Sequence, residues 1–202
     1  MSDEAHPLII FIPGLLPKPE PEIHRAALLR CLLAGVQRVD EDVATAIETT
    51  TGAFDIVSWT YDFYRTHRDI AIDTEAIDAV IEQVAASDVD IAESTSWRRQ
   101  LVRWVYSMGD MMPFLIPHIA SERMEVHLRD LHRYLRDVNG IAAHTRRMLK
   151  VALLAGTKAR HPVLLAAHSM GSVIAYDSLW ELSHSGRDRV QVDLLLTMGS
   201  PL

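Results

Sequence analysis

The segment from residue 162 to residue 176 reads PVLLAAHSMGSVIAY, and it decides the fold. Its first part, Pro162–Ala167, is a continuous apolar run, which is typical of a strand buried on both faces of a parallel sheet. The run is followed at once by four turn residues, 168–171, and then by a second apolar stretch with helical spacing. The segment therefore predicts a strand, a tight turn and a helix, with Ser169 on the turn.

Strands and helices alternate along both ends of the chain. Three further apolar runs predict strands, and three segments with helical periodicity lie among them. The predicted strands are Leu8–Ile12, Phe54–Trp59 and Val190–Met198, and the predicted helices cover about 21–49, 141–160 and 171–184. Such alternation indicates the α/β class, with a parallel sheet covered by helices on both faces.

The middle of the chain, 67–139, has no convincing strand and much helical pattern. We interpret it as a helical cap inserted into a core formed by 1–66 and 140–202. Aromatic and methionine side chains are frequent between Trp97 and Ile116 in this region, which predicts a lid that selects a lipophilic group. Pro113 and Pro117 interrupt the pattern, so one rigid helix is not expected there.

Composition limits the function classes. The 202 residues are 49% hydrophobic with a formal net charge of -7, which is enough for one core and argues against nucleic-acid binding. The single cysteine, Cys31, excludes an intrachain disulfide framework and a multi-cysteine metal site. The acidic start is unlike a secretory signal, so a cytoplasmic location is predicted. A basic stripe at residues 129, 133 and 136 leaves peripheral contact with a membrane surface open.

Residues Ala167-His168-Ser169-Met170-Gly171 resemble the nucleophile elbow of the α/β-hydrolase superfamily, in its serine esterase and lipase branch. The usual family pattern is Gly-x-Ser-x-Gly, and here Ala167 replaces the first glycine. The end of the chain, Thr197 to Pro201, is similar to the strand that follows the elbow helix in that branch. The resemblance implies that Ser169 is the nucleophile.

The oxyanion hole is also implied by the resemblance. An early strand of the family ends in a His-Gly pair, and Pro13-Gly14 stands in that place here. By this likeness the backbone N–H groups of Leu15 and Met170 hold the oxyanion. The activity implied is hydrolysis of carboxylic esters, with a small-molecule or lipid-like substrate of lipophilic acyl type, no cofactor and no metal.

A general base is missing from the pattern. In the family an acid and then a histidine follow the serine, but little more than one helix and one strand follow Ser169. Three explanations stay open. The chain is C-terminally truncated and its last strands, acid and histidine lie after Leu202; or the base is an upstream histidine, His67 or His24; or the chain is a non-catalytic hydrolase-like interaction module.

Overall fold

The computed structural model describes residues 7–83, 122–186 and 190–200, together with the isolated positions 88 and 92. In these residues there are four strands and seven α-helices, which are numbered here in chain order. The strands are β1 (Leu8–Ile12), β2 (Phe54–Ile56), β3 (Val163–His168) and β4 (Leu194–Met198). The helices are α1 (Pro21–Gln37), α2 (Glu41–Thr49), α3 (Thr60–Tyr64), α4 (Thr74–Glu82), α5 (Glu122–Leu135), α6 (Ile141–Lys158) and α7 (Met170–Ser185). Short 3₁₀ turns cover Ile70–Ile72 and Val138–Gly140.

The four strands form one parallel sheet in the order β2-β1-β3-β4, so the predicted α/β class is confirmed. The two central strands, β1 and β3, are in register from Leu8 opposite Val163 to Ile12 opposite Ala167. Ile10, Ile12 and Leu165 are fully buried between the helix layers, as expected for strands with continuous apolar sequence.

The order of the strands creates a crevice between β1 and β3. From β1 the chain moves to one edge of the sheet, and from β3 it moves to the other. Right-handed crossovers then place α1 on one face and α6 and α7, which pack on each other, on the opposite face. The carboxyl ends of β1 and β3 therefore form the topological switch point, where open α/β sheets bind ligands.

Some predicted boundaries were wrong. The single helix predicted over 21–49 is two helices, because Asp40 leaves the helical conformation and its carboxylate accepts from the Val43 N–H at 3.0 Å to begin α2. The strand predicted to reach Trp59 ends at Ile56. The last strand begins at Leu194 and not at Val190.

The described part of 67–139 is helical, as predicted. It comprises the turn at Ile70–Ile72, α4 and α5, and α4 packs on α1. The predicted lid residues between Trp97 and Ile116 lie outside the described residues, and the division into core and cap stays a prediction. No helix in the described ranges has the length and apolar character needed to cross a membrane.

Candidate active site at the switch point

Ser169 lies directly after β3, at the carboxyl edge of the sheet. Its backbone has φ 51° and ψ −122°, a region that residues with a side chain rarely adopt. Two hydrogen bonds hold it there: its N–H donates to the Met198 carbonyl at 2.8 Å, and its carbonyl accepts from the Ser172 N–H at 2.9 Å. The structure thus places Ser169 on a turn between strand and helix, as predicted, and the serine is half-buried.

Two glycines bring the loop after β1 against this serine. This loop, residues 13–20, is called the β1 loop. A Cβ on Gly14 would lie 2.9 Å from the Ser169 Cβ, and a Cβ on Gly171 would lie 2.9 Å from the Pro13 carbonyl oxygen and closer still to that of Ile12. Side chains at both positions would therefore overlap with their neighbours. The absence of side chains allows the β1 loop, the serine and the first turn of α7 to meet.

The predicted oxyanion donors flank Ser169. Leu15 follows Gly14, which contacts the serine, and Met170 is the first residue of α7. Neither N–H donates to an acceptor within the described residues, and both side chains are buried. The N-terminus of a helix carries a partial positive charge, which favours a developing anion at this point.

Two side chains hold the carbonyl groups of the β1 loop. The indole Nε1 of Trp59 donates to the Pro13 carbonyl at 2.9 Å, and the Nζ of Lys18 donates to the Leu15 carbonyl at 2.7 Å. Trp59 is completely buried. The loop conformation is therefore fixed by contacts that the sequence motif does not contain.

A tyrosine braces the next peptide of the same loop. Leu16 has a φ of 75°, and its N–H donates to the Tyr64 hydroxyl at 3.0 Å. That hydroxyl donates in turn to the buried carboxylate of Asp130 on α5, at 2.9 Å. Burial raises the pKa of Tyr64 well above its usual value of 10, so the hydroxyl stays protonated and able to donate. Tyr64 is not indicated by the sequence, because nothing in the sequence pattern connects α3 and α5 to the loop.

His67 pairs with neither of the two acids near it in the sequence, Asp62 and Asp69. Its ring is exposed and stacks on Tyr61, with 4.5 Å between ring centroids. The carboxylate of Asp62 instead pairs with His144 of α6, at 2.8 Å from Nε2, and Asp69 caps the following 3₁₀ turn. The Asp62–His144 pair was also missed, and neither of its members is hydrogen-bonded to Ser169.

His24 is buried on α1, and His168 is exposed at the end of β3. From its place beside the serine, His168 is expected to pack beneath the elbow, but its ring lies along the carboxyl edge of the sheet beside Gly14 and Gly199. Burial and the positive charge of Lys18 lower the pKa of both histidines, that of His24 to about 4. Both imidazoles are therefore neutral at pH 7.

The described residues after Ser169 supply no base to the serine. His184 bonds the Trp180 carbonyl near the end of α7, and Asp193 accepts from the Val163 N–H at the opposite edge of the sheet. Among the described residues the Ser169 hydroxyl has no hydrogen-bond partner at all. The predicted nucleophile thus lies beside Gly14 and Met170, whereas neither His67 nor His24 is hydrogen-bonded to the serine.

A cavity of about 400 Å³ opens beside the site. Its wall includes Pro13 and His168, the neighbours of Gly14 and Ser169, together with side chains of α1 and α4. Most of the wall is apolar, with Phe11, Leu16, Leu28, Ile70 and Ile77 among its members. Apolar concavities with a few polar groups are typical of small-molecule sites.

Comparison of the chain with protein-family models, with curated proteins and with solved structures found no match.

Proposed function

We propose that this chain is a serine hydrolase of the α/β-hydrolase type that acts on carboxylic esters through Ser169. The backbone of Ser169 carries the proposal. A serine with φ 51° and ψ −122° at the switch point of a parallel sheet has a backbone conformation that costs free energy, as the serine of a nucleophile elbow does. An ordinary strand-to-helix turn does not require a residue in such a strained backbone conformation.

The chemistry follows from the surrounding groups. The Ser169 oxygen would attack the ester carbonyl carbon, and the carbonyl oxygen, now anionic, would accept from the N–H groups of Leu15 and Met170. Collapse of this intermediate expels the alcohol and leaves an acyl-serine, and water then releases the acid. The proton of the serine must pass to a base, and no described residue is hydrogen-bonded to the hydroxyl to accept it.

Reactivity of Ser169 tests the proposal. The full 202-residue chain is incubated with a fluorophosphonate probe, and the modified peptide is identified by mass spectrometry. We expect labelling at Ser169, its loss in Ser169→Ala, and unchanged labelling in Ser183→Ala, which removes an exposed serine from the same helix. Equal or absent labelling of both serines would contradict the proposal.

Turnover is expected to be slow in this chain. Loss of a triad base typically lowers kcat by about 10⁴-fold to 10⁶-fold, and the described residues provide no base at the hydroxyl. Rapid hydrolysis of a short aryl ester that disappears in Ser169→Ala would show that a base is present and would direct attention to His67 and His24. The non-catalytic interaction module is the second candidate function, and the unpartnered hydroxyl is the observation that favours it.

A further inference from the structure

The cavity beside Ser169 holds one cation that has no counter-ion among the residues that the structure describes. Lys18 is half-buried in its wall, and the only hydrogen bond of its ammonium group in the described structure goes to the Leu15 carbonyl. No carboxylate of the described residues pairs with it. The other cation of the wall, Arg68, is already neutralised by a two-point contact with Asp73, at 2.8 and 2.6 Å.

The field of Lys18 reaches across the cavity. Its charge, after burial, is the second cause that lowers the pKa of both His24 and His168. Burial and the charge of Arg68 in turn lower the pKa of Lys18. Burial disfavours a charge of either sign, but the positive charges of Lys18 and Arg68 favour a negative charge in the same space. This is a local property, because the chain as a whole carries a net charge of -7.

We propose that this cavity is a subsite for the substrate of Ser169 and that it takes an apolar chain ending in a carboxylate, which Lys18 binds. The inference rests on the proposed ester hydrolysis and narrows its substrate class to monoesters of dicarboxylic acids. The apolar wall accommodates the methylene chain. The free N–H groups of the Lys18 ammonium supply a charge-assisted hydrogen bond to its end. A single unneutralised cation matches one carboxylate better than a doubly charged phosphate.

A binding experiment tests this without requiring turnover. The Ser169→Ala variant is titrated calorimetrically with mono-4-nitrophenyl glutarate and with 4-nitrophenyl pentanoate, which has the same chain length but no charge. We expect the glutarate ester to bind more tightly. Adding Lys18→Met should weaken binding of the glutarate ester by about tenfold or more and leave binding of the pentanoate ester unchanged.

Two further variants separate recognition from structure. Lys158→Met makes the same charge change at an exposed position at the end of α6 and should leave both affinities unaltered. Lys18→Arg keeps the charge and should retain the preference for the glutarate ester. If Lys18→Met weakened both esters equally, Lys18 would serve only to hold the Leu15 carbonyl, and the proposal would be overturned.

The remaining outcomes also test the carboxylate subsite. Inorganic phosphate should fail to displace the glutarate ester, and effective displacement would mean a phosphate subsite and would contradict the carboxylate assignment. Equal binding of the two esters by the Ser169→Ala chain would overturn the proposal as well. A clear preference in binding combined with an unreactive Ser169 would refute the hydrolase but leave the anion subsite in place, so the two failures are distinguishable.

Discussion

The serine at the switch point is in a backbone conformation that favours glycine. A side chain at φ 51° and ψ −122° costs on the order of 1 to 3 kcal/mol, and the hydrogen bonds to Met198 and from Ser172 hold the residue there. Alanine at this position would keep that strain, whereas glycine would relieve it. Substitutions at Ser169 therefore measure the strain directly.

We expect Ser169→Gly to be more stable than Ser169→Ala by about 1 kcal/mol in urea unfolding, although glycine is usually the less stable of the two. The control is the same pair at Ser183, which lies inside α7 and is exposed. There glycine should be less stable than alanine by about 1 kcal/mol. The same sign at both positions would contradict the strained conformation.

His24 makes folding stability depend on pH. Its pKa is about 4 in the folded chain against an ordinary value of 6.5, so the unfolded chain binds a proton more readily between these values. Stability is therefore unaffected above about pH 6.5 and falls as the pH is lowered towards 4. We expect His24→Gln to lose less stability than the wild type between about pH 7 and about pH 4.5, by on the order of 2 kcal/mol.

Urea unfolding at the two pH values provides the measurement for His24. His132→Gln, which replaces an exposed histidine on α5, serves as the matched control. If His24→Gln lost as much stability as the wild type between the two pH values, burial beside Lys18 would not lower the pKa of His24.

At the level of elements, the contact between β1 and the first turn of α7 decides the geometry of the site. We expect Gly171→Ala to lower the free energy of unfolding by about 3 kcal/mol, because the added Cβ would overlap with the backbone carbonyls of Ile12 and Pro13, which cannot rotate away. Gly35→Ala is the matched control. A Cβ at Gly35 meets no atom within 4 Å, and in the interior of α1 alanine should add up to about 1 kcal/mol.

Fluorophosphonate labelling of Ser169 adds a second measurement for the same pair. Gly171→Ala should reduce labelling even where the chain stays folded, because the first turn of α7 can no longer approach the β1 loop. Near-wild-type stability and labelling of Gly171→Ala would show that the loop and the helix do not need this close approach.

The central elements were predictable because local signals agree there. Leu8–Ile12 and Pro162–Ala167 are uninterrupted apolar runs, and both form central strands. The single helix predicted over 21–49 was wrong. Leucines and valines keep a helical spacing up to Asp40, but the side chain of Asp40 caps a new helix and so ends the first one.

The supports of the site could not be predicted in the same way. Trp59 and Tyr64 bond the β1 loop from positions 46 and 48 residues away in the chain, and Asp130 is more distant still. Such contacts depend on tertiary packing, which a periodic pattern does not specify. Ser169 and Gly171 were predictable because strand, turn and helix are consecutive, whereas the position of the His168 ring depends on the local backbone.

For the molecule as a whole, the unusual feature is the exposed apolar surface of β4. It pairs with β3 on one side only, and within the described ranges no strand pairs with its outer edge. Leu194, Leu195 and Leu196 are 54%, 42% and 47% exposed, although strands of parallel sheets are ordinarily buried on both faces. Trp180 and Tyr176 of α7 are also more than half exposed.

An apolar edge strand of this kind offers unpaired backbone groups and a hydrophobic surface to another copy of the chain. We expect the average mass of the 202-residue chain to rise with concentration in sedimentation velocity, over about a twentyfold range in the micromolar region. Leu195→Lys should suppress the rise, since a charge on an edge strand opposes pairing. Val151→Lys, which places the same charge at an exposed position on α6, should associate like the wild type. A wild-type chain that stays monomeric throughout, or equal association of both lysine variants, would mean that β4 does not mediate self-association.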